Sequence, residues 1–240
     1  MLTEWLMALE RDGFVVVPAM FSVADAAAIA EELSAALATG GGLPAMRSGA
    51  GTVVAARNVL ELYPRAASVW RRPPLLELLG GALGGRFGLV RVLFFDKPPD
   101  RTWALAWHKD LTVAVRDHAL PSEQFRKPTL KAGVPHVEAP CALLRQMLTL
   151  RIHLDDVTDE NGPLRIVPGS HRSGKQAVAL PADPAVIHAR AGDVLAMRPL
   201  VSHSSGASTP GTRRHRRVLH LEFAGCEELP DGFCWHDFIR

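Results

Sequence analysis

The chain has 240 residues, 48% hydrophobic and 22% charged, a balance that supports a packed core and excludes a disordered chain. Its 27 Lys and Arg against 25 Asp and Glu leave a formal charge of +2, which gives no bulk attraction for nucleic acid or an anionic membrane surface. No run of ~20 apolar residues exists to cross a bilayer, the acidic start Met1–Phe14 does not read as a secretory signal, and three cysteines without CxxC spacing argue against a disulfide framework or a thiolate zinc site.

In chain order, Thr3–Glu10 predicts a short amphipathic helix closed by Asp12-Gly13, and Phe14–Val17 a short strand ended by Pro18. Ser22 caps a long Ala-rich helix reaching about Ala38, with Asp25 completing a capping-box-like start and Thr39-Gly40-Gly41-Gly42 as its stop. A further helix, Leu75–Leu83, follows Pro73-Pro74 and stops at Gly84-Gly85. From Gly88 the texture changes to short strands: Leu89–Phe95, Trp103–Trp107, Met147–Leu154, Leu164–Val167 after the turn Asp159–Pro163, Val194–Met197 and Val218–Phe223. These spacings predict a single domain over 1–240, mainly β (α+β), in which a helical part (1–87) supports a sandwich or barrel (88–240). Arg116–Cys141 is long, polar and proline-broken, and reads as a lid-like insertion. A cytoplasmic protein is the expectation.

Motifs for phosphate loops, zincin helices and nucleophile elbows are missing. The informative local signal is Trp107-His108-Lys109-Asp110. On a strand, residues i and i+2 point the same way, so His108 and Asp110 can offer a nitrogen and a carboxylate oxygen to one ion. His203 is the candidate third ligand. Two His and one carboxylate leave open positions that suit non-haem Fe(II) activating O2. Arg213-Arg214-His215-Arg216-Arg217 then supplies a guanidinium for a cosubstrate that chelates iron at one end and carries a carboxylate at the other, which describes 2-oxoglutarate. Arg216, Val218, His220 and Glu222 share one strand face, and Arg217, Leu219, Leu221 and Phe223 the other. His153 alternates with Arg151, a face that brings Arg151 near the pocket if it looks into the barrel.

The chain resembles the phytanoyl-CoA dioxygenase family of Fe(II)/2-oxoglutarate oxygenases. The resemblance rests on Asp12-Gly13-Phe14 to Pro18, Lys97-Pro-Pro-Asp100 before Trp107-His-Lys-Asp110, Asn161-Gly-Pro-Leu164 with Val167-Pro-Gly-Ser-His171, Ala191-Gly-Asp193, and His203 with Ser205 followed by Arg216 to Ala224. It implies a double-stranded β-helix (jelly-roll, cupin-like) core. It also implies His108, Asp110 and His203 as iron ligands, Arg216 and Ser205 at the distal 2-oxoglutarate carboxylate, and Arg57 as a basic residue of the cosubstrate pocket. Two more residues than usual separate His203 from Arg216, so Arg214 is the rival. The retained Asp110 points to hydroxylation, desaturation or a similar oxidation rather than halogenation. The basic loop residues Arg116, Arg126, Lys127, Lys131 and Arg145 hint at an anionic small-molecule substrate. A jelly-roll metal enzyme without 2-oxoglutarate, and a binding protein on the same fold, are the alternatives.

Overall fold

The computed structural model describes residues 1–39, 45–177 and 183–240. Gly40–Gly42, expected to stop the second helix, lie outside the described residues. The helices are α1 (Leu2–Arg11), α2 (Val23–Thr39), α3 (Val59–Leu62), α4 (Pro73–Leu83) and α5 (Cys141–Arg145). Ser22 and Asp25 close α2 reciprocally: Ser22 Oγ accepts from the Asp25 N–H at 3.0 Å, and the Asp25 carboxylate accepts from the Ser22 N–H at 3.3 Å. Ala26, Ile29, Ala30, Leu33 and Leu37 then form its buried stripe.

The strands are β1 (Phe14–Val17), β2 (Ala45–Arg47), β3 (Val53–Ala56), β4 (Gly88–Phe95), β5 (Leu105–His108), β6 (Thr112–Ala114), β7 (Arg126–Lys131) and β8 (Val134–Glu138). They continue with β9 (Met147–His153), β10 (Leu164–Ile166), β11 (Ala185–Ile187), β12 (Val194–Met197), β13 (His203–Ser205) and β14 (Val218–Ala224). A major sheet runs β1-β12-β9-β14-β4-β3-β2 and a minor one β11-β10-β13-β5, with antiparallel neighbours throughout. Together they form the jelly-roll.

Period-two alternation sorts the residues of the major sheet. Leu148, Leu150 and Ile152 of β9, Leu219, Leu221 and Phe223 of β14, and Val92 and Phe94 of β4 join one core with Leu33 of α2, Leu78 and Leu79 of α4, and Trp70. The Trp70 ring sits edge-on to Phe223, centroids 4.9 Å apart. The alternate residues, Arg151, His220, Glu222, Arg91, Leu93 and Phe95, line a cavity shared with the minor sheet. A smaller cluster, Leu164, Ile166, Ile187, Leu195 and Met197, joins the two sheets beside that cavity.

Within the first 87 residues, helices α1 to α4 account for most of the described residues, and β1, β2 and β3 join the major sheet. The Arg116–Cys141 insertion is built as regular structure: β7 and β8 form a hairpin that pairs with β6 in a three-stranded antiparallel sheet. β7 escapes a search for alternation because Arg126 to Leu130 are all solvent-exposed. The hairpin turn places Ala132 (φ 53°) and Gly133 (φ 80°) both in the left-handed region, as a two-residue type I′ turn requires, but with Ala where Asn or Asp is usual.

Gly192, before β12, adopts φ +95°, and a Cβ there would meet the Phe21 carbonyl oxygen at 2.1 Å. Gly192→Ala therefore combines left-handed strain with a backbone clash. Urea unfolding of this variant is expected to show a loss of about 2 kcal/mol or more; a loss below about 0.5 kcal/mol contradicts the packing described.

Candidate active site

The β5–β13 register sets His108 directly opposite His203, ring centroids 4.2 Å apart. The register then shifts, so that Ser205 opposes Leu105. This extra residue on β5 restores the facing of the strand, and Leu105 and His108 both line the cavity although they are three apart. Asp110 lies past the end of β5, its N–H donating to the Pro199 carbonyl at 3.0 Å. Its carboxylate oxygens stand 3.9 Å from His108 Nε2 and 3.7 Å from His203 Nε2. Lys109, between the two, points the opposite way and donates to Ser170 O, Ser173 Oγ and Gly174 O, which fixes the orientation of its neighbours.

Each imidazole is oriented by a carbonyl two residues before it: His108 Nδ1 lies 2.8 Å from Ala106 O, and His203 Nδ1 3.0 Å from Val201 O. A carbonyl only accepts, so Nδ1 carries the hydrogen and Nε2 keeps a lone pair. Burial pushes His203 down to about 4, so its ring is neutral at pH 7. Burial also opposes the charge of Asp110, but His203, His220, His108 and Arg91 outweigh it and hold the carboxyl at about 2. The three donor atoms lie within 4.8 Å of one another. Two imidazole nitrogens and one ionised carboxylate, with cavity on the remaining side, fit a divalent iron with open positions.

Beyond this group the cavity ends in two buried arginines, with a buried lysine behind them. Arg216, 3% exposed, donates through Nη1 to Gly162 O at 2.6 Å, and its Nε has no hydrogen-bond partner. Arg151, 6% exposed, donates to His220 Nδ1 at 3.0 Å. Fully buried Lys97 donates to Ser205 Oγ at 3.1 Å and to Gly206 O. Burial first, then Arg216 and Arg151, push Lys97 down to about 6. Among the described residues no carboxylate hydrogen-bonds any of these three side chains, an arrangement that suits a dicarboxylate. The other arginines of the run turn away. Arg214 pairs with Glu160 on the surface at 3.0 Å, Arg217 forks onto Asp155 at 2.9 and 2.6 Å, and Arg213 is exposed.

The cavity holds about 400 Å³. A buried chain of polar groups runs along its floor: Arg151 to His220, His220 Nε2 to Glu222 at 3.1 Å, and Glu222 to Arg91 by two bonds of 2.9 and 2.5 Å. Half-buried Arg57 lines the wall near Asp110 and Arg91, away from Arg216. His153 is buried with both nitrogens unpartnered, next to Arg151 and Arg216 in its electrostatic surroundings. Sequence reasoning placed His108, Asp110, His203, Ser205, Arg216, Arg151 and Arg57, and all seven line this one cavity. It gave no role to Lys97, although the residue opens the Lys97-Pro-Pro-Asp100 motif, nor to Glu222, which shares the parity of Arg216.

Comparisons with known proteins follow the same lines. A model of the phytanoyl-CoA dioxygenase family matches residues 9–215. L-proline trans-4-hydroxylase of Streptomyces griseoviridis is 24% identical over 164 residues, 68% of this chain and 53% of that protein, so the chain spans about half the length of this relative. The fold is shared with SnoN, a non-haem α-ketoglutarate-dependent epimerase of nogalamycin biosynthesis (TM-score 0.67, 21% identity, covering 96% of this chain and 84% of that one). It is also shared with HygX from Streptomyces hygroscopicus, solved with nickel and 2-oxoglutarate bound (TM-score 0.62, 16% identity, 98% and 96% covered). No helix among the described residues is long and apolar enough to cross a membrane.

The Arg91–Glu222 pair is nearly inaccessible, with side chains 12% and 6% exposed. Arg91→Met leaves the carboxylate buried without its main partner and is expected to cost about 3 kcal/mol in chemical denaturation. Adding Glu222→Gln is expected to recover most of that loss. A single-variant loss below about 1 kcal/mol would mean the pair is solvated.

Proposed function

Because the chain belongs to the phytanoyl-CoA dioxygenase family, we propose that it is an Fe(II)- and 2-oxoglutarate-dependent dioxygenase that oxidises a C–H bond of a small organic molecule, most simply by hydroxylation. One observation carries this reading: a His-Asp-His donor set opens onto the same cavity as a buried arginine whose Nε lacks a partner. A metal enzyme that does not use 2-oxoglutarate has no need of that arginine.

In this reading His108 Nε2, His203 Nε2 and an Asp110 oxygen hold the iron. An iron held by these three residues would supply, with 2-oxoglutarate and O2, the oxidative decarboxylation to succinate and CO2 and the oxidant for the substrate. The protein supplies geometry. Arg216 grips the distal carboxylate and Arg151 adds a second positive charge. Lys97 occupies a lone pair of Ser205 Oγ, which leaves the Ser205 O–H free to donate to the same carboxylate. Arg57, on the cavity wall near Asp110, would add positive charge on the side of the metal ligands. Leu93, Phe95, Trp103 and Leu164 wall the cavity and exclude water from the reacting atoms.

Anaerobic titration tests the metal ligands. Asp110→Ala and His203→Ala are each expected to weaken Fe(II) binding more than about 100-fold; near-native affinity in both refutes the ligand set. A second titration tests the clamp. Arg216→Gln leaves a carboxylate unpaired at a cost of about 2–5 kcal/mol, which raises the apparent 2-oxoglutarate constant roughly 30-fold or more. Arg214→Gln, at a solvated surface pair, is expected to change it by less than about threefold. The reverse ranking refutes the register.

A further inference from the structure

The basic residues in and behind the cavity fall into two groups. Arg151 acts on Arg216, and both act on the buried Lys97. Lys131, Arg57 and Arg91 form the second group, with Glu222 and Asp110 as the acids that act on Lys131. Asp110 is claimed by the metal and Glu222 by Arg91. Arg57 makes no hydrogen bond or ion pair within the described residues, and Lys131 donates only to Thr112 Oγ1, at 2.9 Å. Lys131 thus lines the cavity, half-buried, without an anion of its own.

This second group is built deliberately by the fold. Lys131 is the last residue of β7, at the hairpin turn. Asn58, in the left-handed conformation at φ 54°, donates through Nδ2 to the carbonyl of Ala132, itself left-handed, at 3.0 Å. Two strained non-glycine residues strap the hairpin tip to the Arg57–Asn58 turn, so the neighbours Arg57 and Lys131 face one cavity. A dianionic cosubstrate held at the Arg216 end cannot neutralise Lys131. Even with Arg57 given to the cosubstrate, a cation remains at the substrate end. Half-buried charges that crowd like charges are costly unless an anion arrives.

We infer that the substrate carries an anionic group, a carboxylate or a phosphate, and that Lys131, borne by the β7–β8 hairpin, binds it beside Arg57. This rests on the oxygenase reading above. Leu93, Phe95 and Leu105 offer the apolar wall for the carbon skeleton, and Met46 and Leu105 form an exposed apolar rim at the mouth. Lys131 is a specificity residue that the cosubstrate does not require.

The test uses matched probes on protein loaded anaerobically with Fe(II) and 2-oxoglutarate: hexanoate, its neutral isostere hexanamide, and n-pentyl phosphate. Binding is read by titration calorimetry, and loading by the visible absorption of the iron–cosubstrate complex. The wild type is expected to bind at least one anion about tenfold more tightly than the amide, and Lys131→Met to reduce that preference to about threefold or less. The 2-oxoglutarate affinity of Lys131→Met is expected to stay within about threefold of wild type. Lys131→Arg, which keeps the charge, is expected to retain most of the preference. Whichever anion is preferred identifies the source. Normal loading with no anion preference, or a preference that survives Lys131→Met, overturns the inference and leaves the oxygenase reading standing. Failure to load Fe(II) and 2-oxoglutarate at all overturns both.

Discussion

The alternation of β4, β9 and β14 governs what the rest of the molecule can do. These three central strands present an unbroken apolar surface to the helices and a row of ionisable groups to the cavity. Desolvating Arg91, Arg151, His220 and Glu222 on one sheet is unfavourable unless each is paired. The sheet meets most of this with one hydrogen-bonded chain across adjacent strands, which leaves Arg151 Nε unpaired among the described residues, and the burial of Leu150, Leu221 and Phe223 on its other face offsets the remainder. A slip of one residue between β9 and β14 would send both rows to the wrong side.

The metal ligands depend on a second register, that of β13 against the edge strand β5. His108 and His203 meet because their strands pair there, although 95 residues separate them in sequence. Asp110 is held by a single backbone bond to Pro199 and by the opposite anchoring of Lys109. The site thus joins two rigidly paired imidazoles to a carboxylate on a short tether, with the cation cluster on the far wall supplied by the other sheet.

Much of this was legible in the sequence where period and punctuation agree. β1 and β12 match their expected bounds, β4, β9 and β14 fall within one residue of theirs, and the parity of β14 sets Arg214 and Arg216 apart from Arg213 and Arg217, with the register of the family motif favouring Arg216. β2 and β11 are three residues long, too short for a period to register, and β3 lacks a closing proline such as Pro18 after the equally short β1 and Pro199 after β12. β7 has no buried face to leave a pattern. Lys97 was hidden for a different reason: a lysine reads as solvated surface, and only the tertiary arrangement of Ser205 and Gly206 reveals that this one is wholly buried. Lys131 could be read only as one of several basic loop residues, and the hairpin turn is what brings it, and not its neighbours, to the cavity. Arg214 and Arg217 show the converse: Glu160 and Asp155, far off in sequence, hold them outside.

The hairpin's outer strand has a consequence for the behaviour of the protein in concentrated solution. β7 is the open edge of its sheet, and such an edge ordinarily recruits another chain's backbone and seeds fibrils. Here the exposed Arg126 and Lys127 place charge on the rim, Pro128 withholds an amide, and the left-handed kink at Lys127 breaks the ladder where it would have to be flat. A hairpin packed on the core through β8 can therefore leave its outer strand unpaired without making the protein prone to aggregate, so long as that rim keeps its charges and its proline.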